Sequence, residues 1–543
     1  MTQNSGWWRT AVIYQVYVRS FADANGDGVG DLAGVRGRLG HLRDLGVDAL
    51  WLTPFYTSPM ADGGYDVADY RDVDPLFGDL DDAKALIADA HALGLRVITD
   101  IVPNHTSSEH PWFQEALAAE PGSPARDRYI FRDGRGPDGA EPPNDWESVF
   151  GGPAWTQVAD GQWYLHLFDP AQPDLNWQNA QVREEFADIL RFWLDLGVDG
   201  LRIDVAHGMI KADGLPDTGR TQQIGLLGRA ELPYFDQDGV HEIYREWRKI
   251  LDSYPGERIG VAEAWAPNAE RLARYLRQDE LHQAFNFHYV EARWAADEFR
   301  QVIDESLDAV DRVGAPSTWV LSNHDIERHV TRYGGGETGL RRARAAALLT
   351  LALPGSAYVY QGEELGLPEV TDLPDDVLAD PKWTRSGFTE RGRDGCRVPI
   401  PWSGSEPPFG FGASSWLPQP PEWASLTVEA QADDPYSTLS LYREALRLRR
   451  ELPDGPLRWV DPDTNPDTSS GSGSAVLVFR REPGFTCTVN FGASPVIVPR
   501  PGRLLLTSSP NDEFVARDVA DAVGETVTLP PDSAAWWTGD ADD

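Results

Sequence analysis

Gly200-Leu201-Arg202-Ile203-Asp204-Val205-Ala206-His207 is a short apolar run carrying one Arg and one Asp two residues apart. Read as a strand, it places Arg202 and Asp204 on the same face. Leu201, Ile203 and Val205 suit burial, and an unpaired buried carboxylate is costly, so Arg202 supplies the compensating charge. An ionised, oriented carboxylate at the end of a buried strand is what a nucleophile needs; a purely structural Arg–Asp pair is the alternative. Upstream, Phe186, Ile189, Leu190, Trp193 and Leu194 recur at helical spacing, and Gly197 closes that helix. The same order occurs twice before. Leu45-Gly46 precedes an apolar strand at residues 47–52, and a helix with Leu80, Ala83, Leu86, Ile87, Ala90 and Leu93 ends at Gly94 before a strand at 95–100. Helix, glycine, buried strand, repeated, specifies a parallel sheet covered by helices.

Further strands are expected at residues 11–18, 259–262, 284–287, 318–321 and 357–360. Eight strands suit an α/β fold of the closed (β/α)8 TIM-barrel type. Residues 104–177, rich in Pro, Gly and Trp, interrupt the pattern after the third strand and read as an inserted subdomain B. The catalytic barrel is thus expected in two parts, 1–103 and 178–454, with a second long excursion at 364–429 after the eighth strand. After a helix at 439–452 the pattern changes to short alternating runs at 475–479, 486–489 and 503–506, which predict an antiparallel β-domain over 455–543. Ser469-Ser470-Gly471-Ser472-Gly473-Ser474 reads as a hairpin loop within it.

The chain has 543 residues and a formal charge of −38, which disfavours nucleic acid and anionic membranes as partners. No basic-then-apolar leader opens the sequence and no apolar stretch is long enough to span a bilayer, so the cytoplasm is the expected location. Two cysteines, Cys396 and Cys487, make neither a disulfide framework nor a zinc site. Asp23-Ala24-Asn25-Gly26-Asp27-Gly28-Val29-Gly30-Asp31 sets oxygen side chains at alternate positions among glycines, a pattern that suits Ca²⁺; a turn with Asp31 capping the next helix is the alternative.

In a barrel of this kind the site lies at the C-terminal ends of the strands. There the sequence places Asn104-His105, Asp204, Glu263 and His324-Asp325. Paired carboxylates suggest glycoside chemistry: one ionised, the other protonated. Asp204 beside Arg202 fits the first role. Glu263, between Ala262, Ala264 and Trp265, fits the second, because apolar surroundings raise a carboxyl pKa.

These residues carry a resemblance. Asp100-Ile101-Val102-Pro103-Asn104-His105, Gly200-Leu201-Arg202-Ile203-Asp204, Ala262-Glu263-Ala264-Trp265 and Ser322-Asn323-His324-Asp325, in that order, resemble the motifs of the α-amylase family, glycoside hydrolase family 13. Gln172-Pro173-Asp174-Leu175-Asn176 is similar to the marker of its oligo-1,6-glucosidase and bacterial α-glucosidase branch. The resemblance implies Asp204 as nucleophile, Glu263 as acid/base and Asp325 as the carboxylate that holds and distorts the sugar. It further implies that His105 and His324 bind hydroxyls, that Arg202 orients Asp204 and that Tyr65 stacks beneath the ring. Gly64-Tyr65-Asp66 and Arg393-Asp394-Gly395-Cys396-Arg397 look like a clamp in which Asp66 pairs with Arg397 and closes the pocket end, so that single glucose units leave a chain end. The loop at 23–31 resembles a calcium site of this branch, implying Asp23, Asn25, Asp27, Asp31 and the Val29 carbonyl as ligands; no organic cofactor is implied.

The expected substrate is a small oligosaccharide or disaccharide, cut by double displacement. In this branch Val after the nucleophile goes with α-1,6 cleavage, but Val205-Ala206-His207-Gly208-Met209 looks more like the α-1,4-cutting bacterial α-glucosidases, and α-1,4 is the expectation. An α-1,6 enzyme, a transglucosidase or sugar isomerase, and a catalytically inactive relative are the alternatives.

Overall fold

The computed structural model describes residues 6–453, 455–461, 475–509 and 526–539. Eight parallel strands form the central sheet: β1 (Val12–Val16), β2 (Ala49–Leu52), β3 (Arg96–Ile101), β4 (Gly200–Ile203), β5 (Ile259–Ala262), β6 (Gln283–Ala284), β7 (Thr318–Val320) and β8 (Ser356–Tyr360). Their order is β6-β5-β4-β3-β2-β1-β8-β7, a barrel in which every sequential pair is laddered except β6 with β7 among the described residues. Side chains alternate between two cores, as a helix-wrapped barrel requires. Ile13, Trp51, Ile98, Val261, Val320 and Tyr358 fill the interior. Val12, Tyr14, Leu50, Leu52 and Val97 pack outward beneath the helices.

The punctuating glycines do what their positions require. Gly46 and Gly197 cap their helices with φ of 96° and 107°, in the left-handed region that other residues avoid. The sixth strand differs from expectation. It covers only Gln283–Ala284, and Phe287–Glu291 is a helix. The Asn286 side chain accepts the Tyr289 N–H at 3.1 Å, so an N-cap overrides the strand preference of the two phenylalanines.

The excursion after β3 carries a three-stranded antiparallel sheet, Phe131–Asp133, Gln162–Leu165 and Trp155–Gln157, whose Trp155 and Leu165 share an apolar cluster with Val205, Leu232, Tyr234 and Phe235 from the segment after β4. At the C-terminal end, Leu457–Trp459, Val476–Arg481, Phe485–Asn490, Ser533–Thr538 and Arg503–Thr507 form a five-stranded antiparallel sheet. It is fixed to the barrel helix Gly336–Ala352, where the Trp536 indole donates to the Leu348 carbonyl at 3.0 Å. The hairpin loop expected at 469–474 lies outside the described residues. Among the described residues no helix is long and apolar enough to cross a membrane.

Candidate active site

A cavity of about 340 Å³ opens at the C-terminal end of the barrel. Tyr65, His105, Asp204, Glu263 and Asp325 all line it. Arg202 and His324 sit behind that wall, both almost fully buried. Each strand-end group is delivered by a short loop that leaves its strand directly, so the parallel register of the barrel decides the arrangement. In that register Arg202 lies between Asp100 on β3 and Val261 on β5.

Arg202 serves three carboxylates. Its Nη1 donates to Asp204 Oδ1 at 2.5 Å and to Asp100 Oδ1 at 2.7 Å, and its Nη2 lies 3.7 Å from Glu263 Oε2. Asp100 also accepts from the Trp51 indole at 2.9 Å and the Tyr65 hydroxyl at 3.1 Å. Glu263 Oε1 accepts from the Trp265 indole at 2.9 Å, and Oε2 accepts the Val205 N–H at 2.7 Å. Val205 makes that bond with φ of 45°, a conformation that β-branched residues avoid. Such strain costs on the order of 1–3 kcal/mol and concentrates at functional sites. Here it turns the backbone that follows Asp204 onto Glu263.

Arg202 favours the ionised form of Asp204, and burial and neighbouring acids oppose it. Burial pushes Asp204 well above the ordinary aspartate range; Arg202 pulls it back, and the charges of Glu263, Asp100 and Asp325 raise it again. Glu263 is likewise raised, by burial first and by Asp325. Burial raises Asp100 to about 6 against the pull of Arg202. The three acids lie within reach of one guanidinium, so their titrations are coupled. Contact distance then ranks them: Arg202 is 2.5 Å from Asp204 and 3.7 Å from Glu263, which favours charge on the aspartate.

The clamp differs from the expected one. Asp66 does not meet Arg397. Its carboxylate is fully buried and turned inward, accepting from the Ser58 hydroxyl and from the Ala61 and Asp62 N–H groups at 2.9–3.0 Å. Asp62, four residues earlier, lines the cavity instead and meets Arg393 Nη2 at 2.6 Å. Arg393 also reaches Asp325 at 3.0 Å and Asp380 at 2.5 Å. Arg397 stands behind, donating to Asp325 Oδ1 and to the His324 carbonyl, each at 2.8 Å. Both stretches carry two like charges four residues apart, and the sequence alone does not say which member of each pair faces the cavity. Gly392 explains how the chain admits this packing: with φ of 70°, a Cβ there would lie 2.4 Å from Asp380 Cγ.

In this second cluster the balance reverses for two acids. Burial would raise Asp325, but His324, Arg393 and Arg397 overcome it and hold the group below its ordinary value. Asp380 is held at about 2 in the same way, by Arg393 and Arg397 against burial. Asp62 is raised, because burial there outweighs both arginines.

Burial disfavours the cationic form of both histidines at the site. His105 is lowered to about 4, and its Nε2 lies 3.1 Å from the Tyr65 carbonyl. His324 falls well below its ordinary value, takes a contact from the Gln15 amide at 2.6 Å and stacks on Tyr65 with centroids 5.3 Å apart. A buried Lys211–Asp174 pair at 2.6 Å ties the inserted region to the wall, with Lys211 also donating to Asn104 Oδ1 at 3.0 Å.

The loop at 23–31 supplies hard oxygen donors, the right chemistry for Ca²⁺. As folded, those oxygens accept backbone N–H groups: Asp23 from Gly26 and Gly28, Asn25 from Asp27, Asp27 from Val29, and Asp31 from Ala24, Asn25 and Gly34. Among the described residues no three acidic, histidine or cysteine side chains are grouped to hold a metal ion. Were a cation bound, Asp23, Asn25, Asp27, Asp31 and the Val29 carbonyl would hold it, and it would stiffen the loop.

Comparison with known proteins agrees with the geometry. The family model described as alpha amylase, catalytic domain, matches residues 15–454. A probable alpha-glucosidase of Rhizobium meliloti (strain 1021) is 40% identical over 466 residues, 82% of this chain and 83% of that protein. An oligo-1,6-glucosidase of Parageobacillus thermoglucosidasius is 36% identical over 476 residues, 82% of this chain and 84% of its own. The crystal structure of an alpha-glucosyl transfer enzyme, XgtA, superposes with a TM-score of 0.86 at 36% identity, covering 99% of this chain and all of that one. The chain belongs to the α-amylase family and is a glycoside hydrolase of that family's α-glucosidase group.

Proposed function

We propose that the protein is a retaining, exo-acting α-glucosidase that releases single glucose units from the non-reducing end of short α-glucosides. The observation that carries this reading is the pairing of two unlike carboxyl groups, Asp204 and Glu263, across one guanidinium in a cavity lined also by the Asp62–Arg393 ion pair. Asp204 attacks C1 of the bound glucose while Glu263 gives its proton to the departing oxygen, leaving a glucosyl ester on Asp204. Water then attacks C1, Glu263 takes its proton, and the ester bond breaks with its electrons returning to Asp204. Asp325, held ionised by Arg393 and Arg397, grips sugar hydroxyls throughout. In our reading the Asp62–Arg393 ion pair closes one end of the cavity, which then admits only a chain terminus. Maltose-type α-1,4 links are our reading, on the residues that follow Val205.

Transglucosylation is the second reading, favoured by the similarity to an alpha-glucosyl transfer enzyme over nearly the whole chain. Product analysis separates the two. Maltose, isomaltose, sucrose and trehalose are supplied separately at low and high concentration. Glucose alone, formed fastest from maltose, is the expected result. Longer or isomerised sugars rising with substrate concentration would make it a transferase, and isomaltose as the fastest substrate would overturn the linkage.

A further inference from the structure

A cavity of about 720 Å³ lies at the end of the barrel opposite the active site. Its walls come from segments that lead into strands: Trp8 and Arg9 before β1, Arg258 before β5, His282 before β6 and Gly314 before β7. The helix Val240–Asp252 adds Arg248, and Arg277 stands in the segment that follows β5. The chain as a whole carries 48 Lys and Arg against 86 Asp and Glu. Here the balance is reversed, with four arginines on the lining against two acids, Asp252 and Glu257.

The acids do not neutralise these arginines. Arg9 donates to the Gly314 carbonyl at 3.1 Å and lies over the Trp8 ring, with no carboxylate partner among the described residues. Glu257 accepts the Trp7 N–H at 3.3 Å rather than pairing with an arginine. Asp252 meets Arg248 at 2.8 Å. Behind the lining, Asp199 meets Arg258 at 2.5 Å but is shared with His91 at 2.7 Å. Glu280 meets Arg277 at 3.2 Å but is shared with Arg245 and His241. His282 adds a neutral donor. Burial and the Arg248 charge lower it to about 3, and its Nδ1 accepts the Gly260 N–H at 3.2 Å, so the ring proton sits on Nε2.

We propose that this cavity binds a small sugar phosphate, its phosphate held by the arginines and its hydroxyls by Asp252, Glu257 and Gln278. Guanidinium forks match phosphate oxygens, and a dianion among them relieves the repulsion of like charges. The space exceeds what a bare phosphate fills, and the two carboxylates and the Gln278 amide are acceptors that a bare anion would not use. The ligand would tie together segments from the start of β1, the start of β5 and the start of β7, so binding should raise stability. This site is separate from the glucosidase chemistry and needs no turnover to be seen.

The test is isothermal titration calorimetry in phosphate-free buffer at about 0.1 M salt, with glucose 6-phosphate and inorganic phosphate supplied separately. The expected result is glucose 6-phosphate binding with a Kd below about 1 mM, at least about tenfold tighter than inorganic phosphate, and a melting temperature that rises with its concentration. Arg9→Gln and Arg277→Gln should each weaken that binding at least about tenfold, the loss expected of a charge-assisted hydrogen bond, with kcat on maltose unchanged. No binding up to about 10 mM, equal affinity for inorganic phosphate, or an unchanged Kd in both variants would overturn the proposal. Competitive inhibition of maltose hydrolysis with a Ki equal to that Kd would place the ligand in the active-site cavity and overturn it as well.

Discussion

Two clusters of charge share the barrel mouth, and they are built in different proportions. Around Arg202, one guanidinium faces three carboxyl groups, Asp100, Asp204 and Glu263. Around Arg393 and Arg397, two guanidinium groups face Asp62, Asp325 and Asp380. Asp325 is the most open of the six, its side chain 28% exposed, whereas the other five are nearly enclosed. The supply of cations differs too: all three acids of the first cluster are raised, whereas in the second Asp325 and Asp380 are held down and Asp62, where burial outweighs both arginines, is raised. Proton transfer needs groups that can gain and lose a proton near neutral pH, and gripping a sugar needs a charge that stays.

The comparison breaks most visibly at the first cluster. Asp204→Asn leaves the shape intact and removes the attacking oxygen, so kcat on maltose should fall by at least about 10⁴-fold. Activity within tenfold of the parent would remove Asp204 from the chemistry.

The second cluster should respond less and differently. Asp62→Ala, assayed by kcat/KM on maltose, should lose about 10²-fold by loosening one end of the sugar. Asp66→Ala should act mainly on stability, lowering the melting temperature by stranding three buried donors, with a smaller kinetic loss. If the two variants exchanged these effects, the expected Asp66–Arg397 clamp would be restored.

That pair shows where sequence stops. The barrel was legible because helix, glycine and buried strand repeat, and Gly46 and Gly197 do adopt the left-handed caps this implies. Asp204, Glu263 and Asp325 were legible as strand-end charges. What sequence could not decide was facing. Asp62 and Asp66, like Arg393 and Arg397, sit four residues apart on irregular segments, where no 2.0 or 3.6 period assigns a side. It also missed Asp100 and Asp380, because the sharing of one cation among several acids exists only after distant strands are brought together.

pH sharpens the comparison further. Asp204 must be ionised and its affinity for the proton is raised, so kcat/KM should decline on the acid side at a pH above the ordinary aspartate value of about 3.9. Glu263 must carry its proton and is also raised, so the alkaline decline should lie above about 4.3. Asp325 raises both groups by its charge, so Asp325→Asn, assayed on α-glucosyl fluoride, should move both limbs to lower pH. An acid limb that moves upward instead would contradict the proposed coupling between the clusters.

The smallest effect is expected farthest from the chemistry. If the loop at 23–31 holds Ca²⁺, chelation should lower the melting temperature by a few degrees and leave kcat on the surviving folded enzyme unchanged. An unchanged melting temperature, with no metal in the purified protein, would leave the loop as the hydrogen-bonded turn it forms here.

The central claim is that the Arg202 cluster supplies the nucleophile and the Arg393–Arg397 cluster only the grip. The most direct test is to trap the intermediate with a glucosyl fluoride whose second step is slowed by ring fluorination, then map the modified peptide by mass spectrometry. The account predicts one added glycosyl group on the peptide containing Asp204. Label on the peptide containing Asp325 or Glu263, or turnover without any covalent adduct, would contradict it.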